Sequence, residues 1–404
     1  MRLELFSMRN WFEFLSKNRQ LLNFGFQFNF FSSFGQTFFI SLYVPFLIES
    51  IQITNAAFGS LYAGVTVVSA FLISAVGKYI DQISLKKYGL LVFFGLVISV
   101  VVLSQARNVL ILAAGLFMVR WFGQGLMTHT ATTGIAKLFD AQRGKALGLT
   151  ALGHPASQFI LPLIVVPLIG LTSWRFSLVA MAALSVVVIL PTIWNITPKI
   201  PAKSKPNTSE FIPGKEVNYF RDTKFWIIAA NSFLIPFVAT ALFLYQYPLG
   251  QSLGWTTAWV AFSFSFYAIF NALALLVSGS LVDRFSGIRL FPLYLIPTLL
   301  SMVVFFFVDD QWTFPLLYAM LGISAGLGST IKTAVQVEVY GTGELGKIRS
   351  YFSTLLVLST ALGPPAFGYF IDRGYSLRAI IAMLALVVLV ILIISFRIKV
   401  PKAN

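Results

Sequence analysis

Gly77-Lys78-Tyr79-Ile80-Asp81 returns as Gly279-Ser280-Leu281-Val282-Asp283, 202 residues further along the chain. The same offset carries Asn29 to Asn231 and Tyr43 to Tyr245. At 203 residues, Gly123-Gln124-Gly125 becomes Gly326-Leu327-Gly328, and His129 becomes Lys332. One such step is half of the 404-residue chain, so the sequence reads as a duplicated unit. Both copies lie in almost wholly apolar sequence. Paired repeats of this kind describe two membrane bundles, which place a substrate site at their interface.

Outward from those turns, hydrophobic residues make up 57% of the chain and charged residues 11%, far from the mix of a soluble domain. Twelve runs are long enough to span a bilayer: 21–48, 55–80, 88–105, 109–138, 145–170, 175–194, 225–249, 257–281, 290–308, 314–339, 351–371 and 377–396. The expected order is a cytoplasmic segment 1–20, a six-helix bundle 21–194, a linker 195–224 and a second six-helix bundle 225–404. Pro198, Pro201, Pro206 and Pro213 with several lysines mark the linker. Trp11, Phe12, Phe14 and Leu15 among charges suit either a surface-lying helix or a simple basic lead-in.

The net charge of +15 is a matter of topology. Outer loops hold only Arg107, Arg175, Arg373 and Arg378, and Arg120 and Lys332 lie within spans. Every other Lys and Arg falls on the side of the termini, which the positive-inside bias assigns to the cytoplasm. The charge is therefore no nucleic-acid footprint. With no cysteine, thiol catalysis and thiolate metal sites are excluded. No nucleophile–base set or nucleotide-binding loop is evident, so neither an enzyme nor a cofactor is expected. Uphill movement would then draw on an ion gradient.

All 14 acidic residues fall in loops, tails or helix ends. The interior carries bases instead: Arg120, His129, His154 and Lys332. A charge at bilayer depth faces a cavity and needs a partner. Without an internal carboxylate, the natural partner is a bound anion or zwitterion, most simply a small organic acid. Backbone carbonyls for Arg120 and snorkelling for Lys332 are the alternatives. Polar stripes on the first, seventh and tenth spans add Asn29, Gln36, Tyr43, Asn231, Tyr245 and Gln336 to the expected substrate-binding set, with helix–helix hydrogen bonding as the alternative. His129 and His154 are the expected proton carriers, because histidine changes charge near neutral pH. Arg120 and His129 are nine residues apart, on opposite faces of a regular helix, and share one cavity only if the helix is distorted. His154-Pro155 indicates a kink.

These motifs, in order and doubled, resemble the major facilitator superfamily across essentially the whole chain. Its loop motif is matched by Gly77 through Asp81 with Lys86-Lys87, although Gln82 and Ser84 depart from it. The second copy keeps Asp283-Arg284, followed by Ser286-Gly287-Ile288-Arg289. Arg120-Trp121-Phe122-Gly123 matches the fourth-helix motif, and Gly363-Pro364-Pro365 with Gly368 and Asp372 resembles the eleventh-helix ending. Phe34 through Phe39 with Gly123 through His129 is similar to a bacterial subgroup allied to monocarboxylate-type porters. The resemblance implies an all-α membrane protein of twelve transmembrane helices, working by alternating access as a monomer in the bacterial inner membrane. Gly77, Asp81, Gly279, Asp283 and Arg284 are then expected to gate the cytoplasmic helix ends. Proton-coupled uptake is the expected function. Export of drugs or metabolites on the same scaffold, or ligand sensing without flux, stay open.

Overall fold

Polar residues just ahead of the apolar runs start the helices. The computed structural model describes residues 8–139, 143–196, 219–341 and 345–398. In it Ser84 accepts a hydrogen bond from the backbone N–H of Lys87, Asn108 from Ile111, Ser173 from Phe176, Thr256 from Trp259 and Ser376 from Ala379. Each side chain satisfies a donor that the first helical turn leaves open. Eleven helices among the described residues are long and apolar enough to cross a membrane, and they match the second to twelfth expected spans.

The first expected span is broken. Helix Arg19–Phe31 passes into a 3-10 turn, Ser32–Gly35, and then extended backbone at Gln36 (φ −86°, ψ 151°). Two short helices follow, Thr37–Ser41 and Val44–Ile51, the second with proline in its first turn. Ahead of the span, Met8–Lys17 is helical. Its Phe14 is buried against Leu22, Ile135, Phe139 and Ala146, and the Lys145 ammonium lies 4.5 Å from the Phe14 ring centre.

The duplication shows in the packing. Arg19–Phe31 of the first span packs on Arg143–Ala151 of the fifth, as the seventh span, Thr223–Ser252, packs along the eleventh, Leu345–Asp372. The third span lies on the sixth, and the ninth on the twelfth. Contacts divide the chain into two compact units. One comprises Met1–Phe39, Val68–Ser157 and Leu168–Ser204; the other Ile40–Val67, Gln158–Pro167 and Lys205–Asn404. Two stretches ahead of the expected linker, 40–67 and 158–167, thus pack with the C-terminal spans. Within the linker, 197–218 lie outside the described residues, and Tyr219–Arg221 form a 3-10 turn.

Between the eighth and ninth spans the chain reverses at Ser286, whose φ is 72°. Glu338, from the tenth span, caps that reversal. Its carboxylate accepts from the backbone N–H of Gly287 (2.6 Å), from that of Ile288 (2.9 Å) and from Ser286 Oγ (2.9 Å). A negative group here also favours the partial positive charge of the helix start. Glu338→Ala is expected to cost about 1–2 kcal/mol, seen as a lower thermal midpoint of the purified protein. An unchanged midpoint would mean that water replaces the carboxylate without loss.

Candidate functional site

The fourth span carries Arg120 and His129, and the regular helix expected there is interrupted. Val109–Met118 and Thr128–Leu138 are α-helical, but Val119–Met127 between them is a π-helix. Its i→i+5 bonds put more residues in each turn than the 3.6 of an α-helix, so the half-turn offset between positions 120 and 129 no longer applies. The 3-10 turn of the first span packs against it. Gly35, in the 3-10 turn of the first span, has no side chain, and a Cβ there would fall on Val119 O and Gln124 N. A Cβ on Gly123 would come within 2.7 Å of Gly35 N. Two backbones touch at this point, and Arg120, 1% exposed, donates from Nη1 to Gly35 O at 3.2 Å.

His129 is half-buried, with Nδ1 3.4 Å from Thr133 Oγ1. His154 follows an interruption of the fifth span between Ala151 and Gly153 and meets the Phe38 ring edge-on at 6.1 Å. The interruption falls just ahead of the expected His154-Pro155 kink. Asn29 donates from Nδ2 to Thr150 O at 3.0 Å, and Ser33 shares a hydrogen bond with Ser157. Gln36 is half-buried at the break in the first span. These residues all belong to one unit.

In the other unit, Asn231 is fully buried. It donates to Ser395 Oγ at 2.8 Å and accepts from the Tyr294 hydroxyl. Tyr43 and Tyr245 are also fully buried, and Tyr245 OH donates to Asn55 O at 2.6 Å. Gln246 is held at both ends: Nε2 donates to Ser41 Oγ (2.9 Å) and Oε1 accepts from Tyr318 OH (3.1 Å). Sequence reading did not single out Ser41, Tyr294, Tyr318 or Ser395. A hydroxyl on an apolar helix carries no local sign of what it faces.

Lys332 differs from Asn29, Asn231, Tyr245 and Gln246, whose side chains are all hydrogen-bonded. It is half-buried in the tenth span, Thr313–Tyr340, eight residues from its end, or about 12 Å along the axis. Among the described residues no hydrogen bond or ion pair reaches its ammonium. Gln336, one turn further on, is buried. Glu338, the nearest acid in sequence, is committed to the turn at Ser286. No group of His, Asp and Glu that could hold a metal occurs among the described residues.

A family model settles what this arrangement belongs to. The model of the Major Facilitator Superfamily matches residues 28–285 and 246–404. The chain belongs to this family. Monocarboxylate transporter 11 of Mus musculus is 24% identical over 309 residues, covering 70% of this chain and 65% of the relative. The Homo sapiens protein of that name is 25% identical over 312 residues, covering 70% and 61%. The chain thus spans less than two thirds of the length of both relatives. Among solved structures, a bacterial homologue of the human lysosomal transporter Spinster, inward-facing and occupied, is similar with a TM-score of 0.68 and 16% identity, covering 93% of this chain and 94% of that one. A mutant of the nucleoside transporter NupG gives 0.72 and 15%, covering 94% and 98%. The fold is the twelve-span fold of the family, whose members here are membrane transporters and not enzymes.

The expected gating residues are spread along the helix ends. Gly77 closes the second span and Asp81 lies in a 3-10 turn; the Asp81 side chain is outside the described residues. Gly279 faces open space, Asp283 is exposed, and Arg284 lies over the ring of its neighbour Phe285 at 5.1 Å.

Proposed function

We propose that this chain is a proton-coupled secondary transporter that takes up a small organic anion or zwitterion across a bacterial inner membrane by alternating access. The observation that carries the reading is Lys332, an ammonium within a span with no carboxylate partner among the described residues. Such a charge costs about 3 kcal/mol at the centre of a membrane helix. Its retention makes sense if a substrate carboxylate supplies the missing partner. Relatives named as monocarboxylate transporters support the same substrate class. Gln336, one turn away, would add a hydrogen bond to the bound group. Arg120 is engaged with Gly35 O, and its role in this scheme is to hold the fourth span in its π-helical form.

Proton coupling falls to His129 and His154. The test is the purified protein in liposomes with an internal pH dye, given small carboxylates and amino acids one at a time. Saturable internal acidification above protein-free liposomes is the expected result. His129→Gln with His154→Gln should abolish accumulation driven by a pH gradient while downhill flux persists. Gradient-driven accumulation in that double variant would overturn the assignment of the protons to the histidines. Silence across the panel with folded protein would overturn the substrate class and favour an exporter of amphiphiles.

A further inference from the structure

Ahead of the first span lies a helix whose two sides are chemically distinct. Met8–Lys17 is ten residues long, and one residue, Asn18, separates it from Arg19–Phe31, which opens the first span. At about 100° per residue, positions 8, 11, 12, 14 and 15 share one arc of about 160°, and all are apolar. Positions 9, 10, 13, 16 and 17 fill the rest of the circumference, and all are polar. No position departs from that division.

Phe14 stands at one edge of the apolar arc and is buried against Leu22, Ile135, Phe139 and Ala146. An arc that wide cannot be closed by the neighbours of Phe14. Leu15, about 100° further round, is 37% exposed, and position 12 lies about 160° from position 14. Basic residues cluster along the same segment. Arg9 and Lys17 fall on the polar arc, and Lys17 and Arg19 are exposed. The Lys145 ammonium, from the fifth span, lies 4.5 Å from the Phe14 ring centre. Glu13 is the one acid between residues 8 and 20. All of these residues belong to one compact unit.

Ten residues of helix rise about 15 Å, half of what a bilayer crossing needs. Joined to a span through a single residue, such a helix stays at the membrane surface. There its polar arc meets headgroups, and the open part of its apolar arc meets acyl chains. Any lipid would serve the apolar arc. The surplus of lysine and arginine adds attraction for anionic headgroups alone, about fivefold for each charge.

We propose that Met8–Lys17, with Arg19 and Lys145, is a docking surface for anionic phospholipid in the leaflet on the side of the termini. Phe14 joins the docked helix to Ile135 of the fourth span and Ala146 of the fifth, so lipid bound here also braces the facing ends of those two spans. The inference rests on the membrane spans and not on the substrate or the coupling ion.

The chain has no cysteine, so a single reporter can be introduced without removing a native thiol. Leu15→Cys, labelled with the fluorophore NBD, is placed in nanodiscs of phosphatidylcholine, with and without phosphatidylglycerol. Quenching by acrylamide, a neutral solute, reads its exposure to water. Phosphatidylglycerol should lower the quenching constant at Leu15 at least about fivefold. A Ser16→Cys reporter, on the polar arc, should stay open in both lipids. Arg9→Gln, Lys17→Gln and Arg19→Gln together should leave the Leu15 reporter as open with phosphatidylglycerol as without it. The thermal midpoint should rise with phosphatidylglycerol in the parent and not in that triple variant. Equal quenching at Leu15 in the two lipids overturns the proposal, whether the label is open in both or shielded in both. So does a triple variant that keeps the full response. No readout uses a substrate, so a silent liposome panel leaves this test intact.

Discussion

Lys332→Ala is expected to abolish uptake while the protein extracts and purifies as the parent does. Losing one partner of a desolvated, hydrogen-bonded charge pair costs about 2–5 kcal/mol, or roughly thirtyfold to several thousandfold in affinity. The ammonium is half-buried, and no acid among the described residues pairs with it, so the bound substrate would be that partner. The stability effect should run the other way. Removing an uncompensated charge from a span relieves its desolvation cost, so the alanine variant should melt at or above the parent temperature. Lys332→Arg keeps the charge but replaces a point ammonium with a planar fork, and intermediate uptake is expected. Full uptake in a folded alanine variant would sink the anion-carrier reading. A marked fall in melting temperature would instead make Lys332 a structural residue.

Gly35→Ala should have the largest effect on folding. The added methyl would overlap Val119 O and Gln124 N. These are backbone atoms of a π-helix, and unlike a flexible side chain they cannot swing aside. Overpacking in a close-packed interior costs about 1–3 kcal/mol even where side chains can adjust, and here about 3 kcal/mol or more is expected. The Arg120 bond to Gly35 O would be lost with the contact. Gly64→Ala and Gly148→Ala are the controls, since a Cβ at either position meets nothing within 4 Å. Both should hold or slightly raise stability, because alanine outranks glycine in a helix by about 1 kcal/mol. Size-exclusion profiles and melting curves of the four proteins would decide the matter. A monodisperse Gly35→Ala variant with the parent's midpoint would show that the two backbones can separate.

The expected spans and the observed helices agree closely from the second onward because the cost of placing a residue in lipid belongs to that residue and is read one position at a time. The first span departed from its pattern for the same reason. Its composition is apolar throughout 21–48, yet Gln36 is extended and two turns interrupt the helix. Hydropathy records membrane depth and is blind to backbone shape. Asn29 and Asn231 were equally visible as repeated polar positions, but their partners, Thr150 O in one unit and Ser395 with Tyr294 in the other, were not. Glu338 and Asp372 read only as acids near helix ends. Each proves to bind the start of another helix, 51 and 317 positions away respectively.

Sequence alone determined the apolar spans and their duplication, which follow from local transfer energies and from matches between residues of the same chain, while the family follows from its motifs and its model. Tertiary structure alone decided the π-helix at Val119–Met127, the break at Gln36, the bond of Asp372 to Asn55 and the isolation of Lys332. Each of these depends on which atoms meet across distant segments. A hydrogen bond or a steric contact is a property of a pair, and the residues of such a pair carry no mark of one another until the chain has folded.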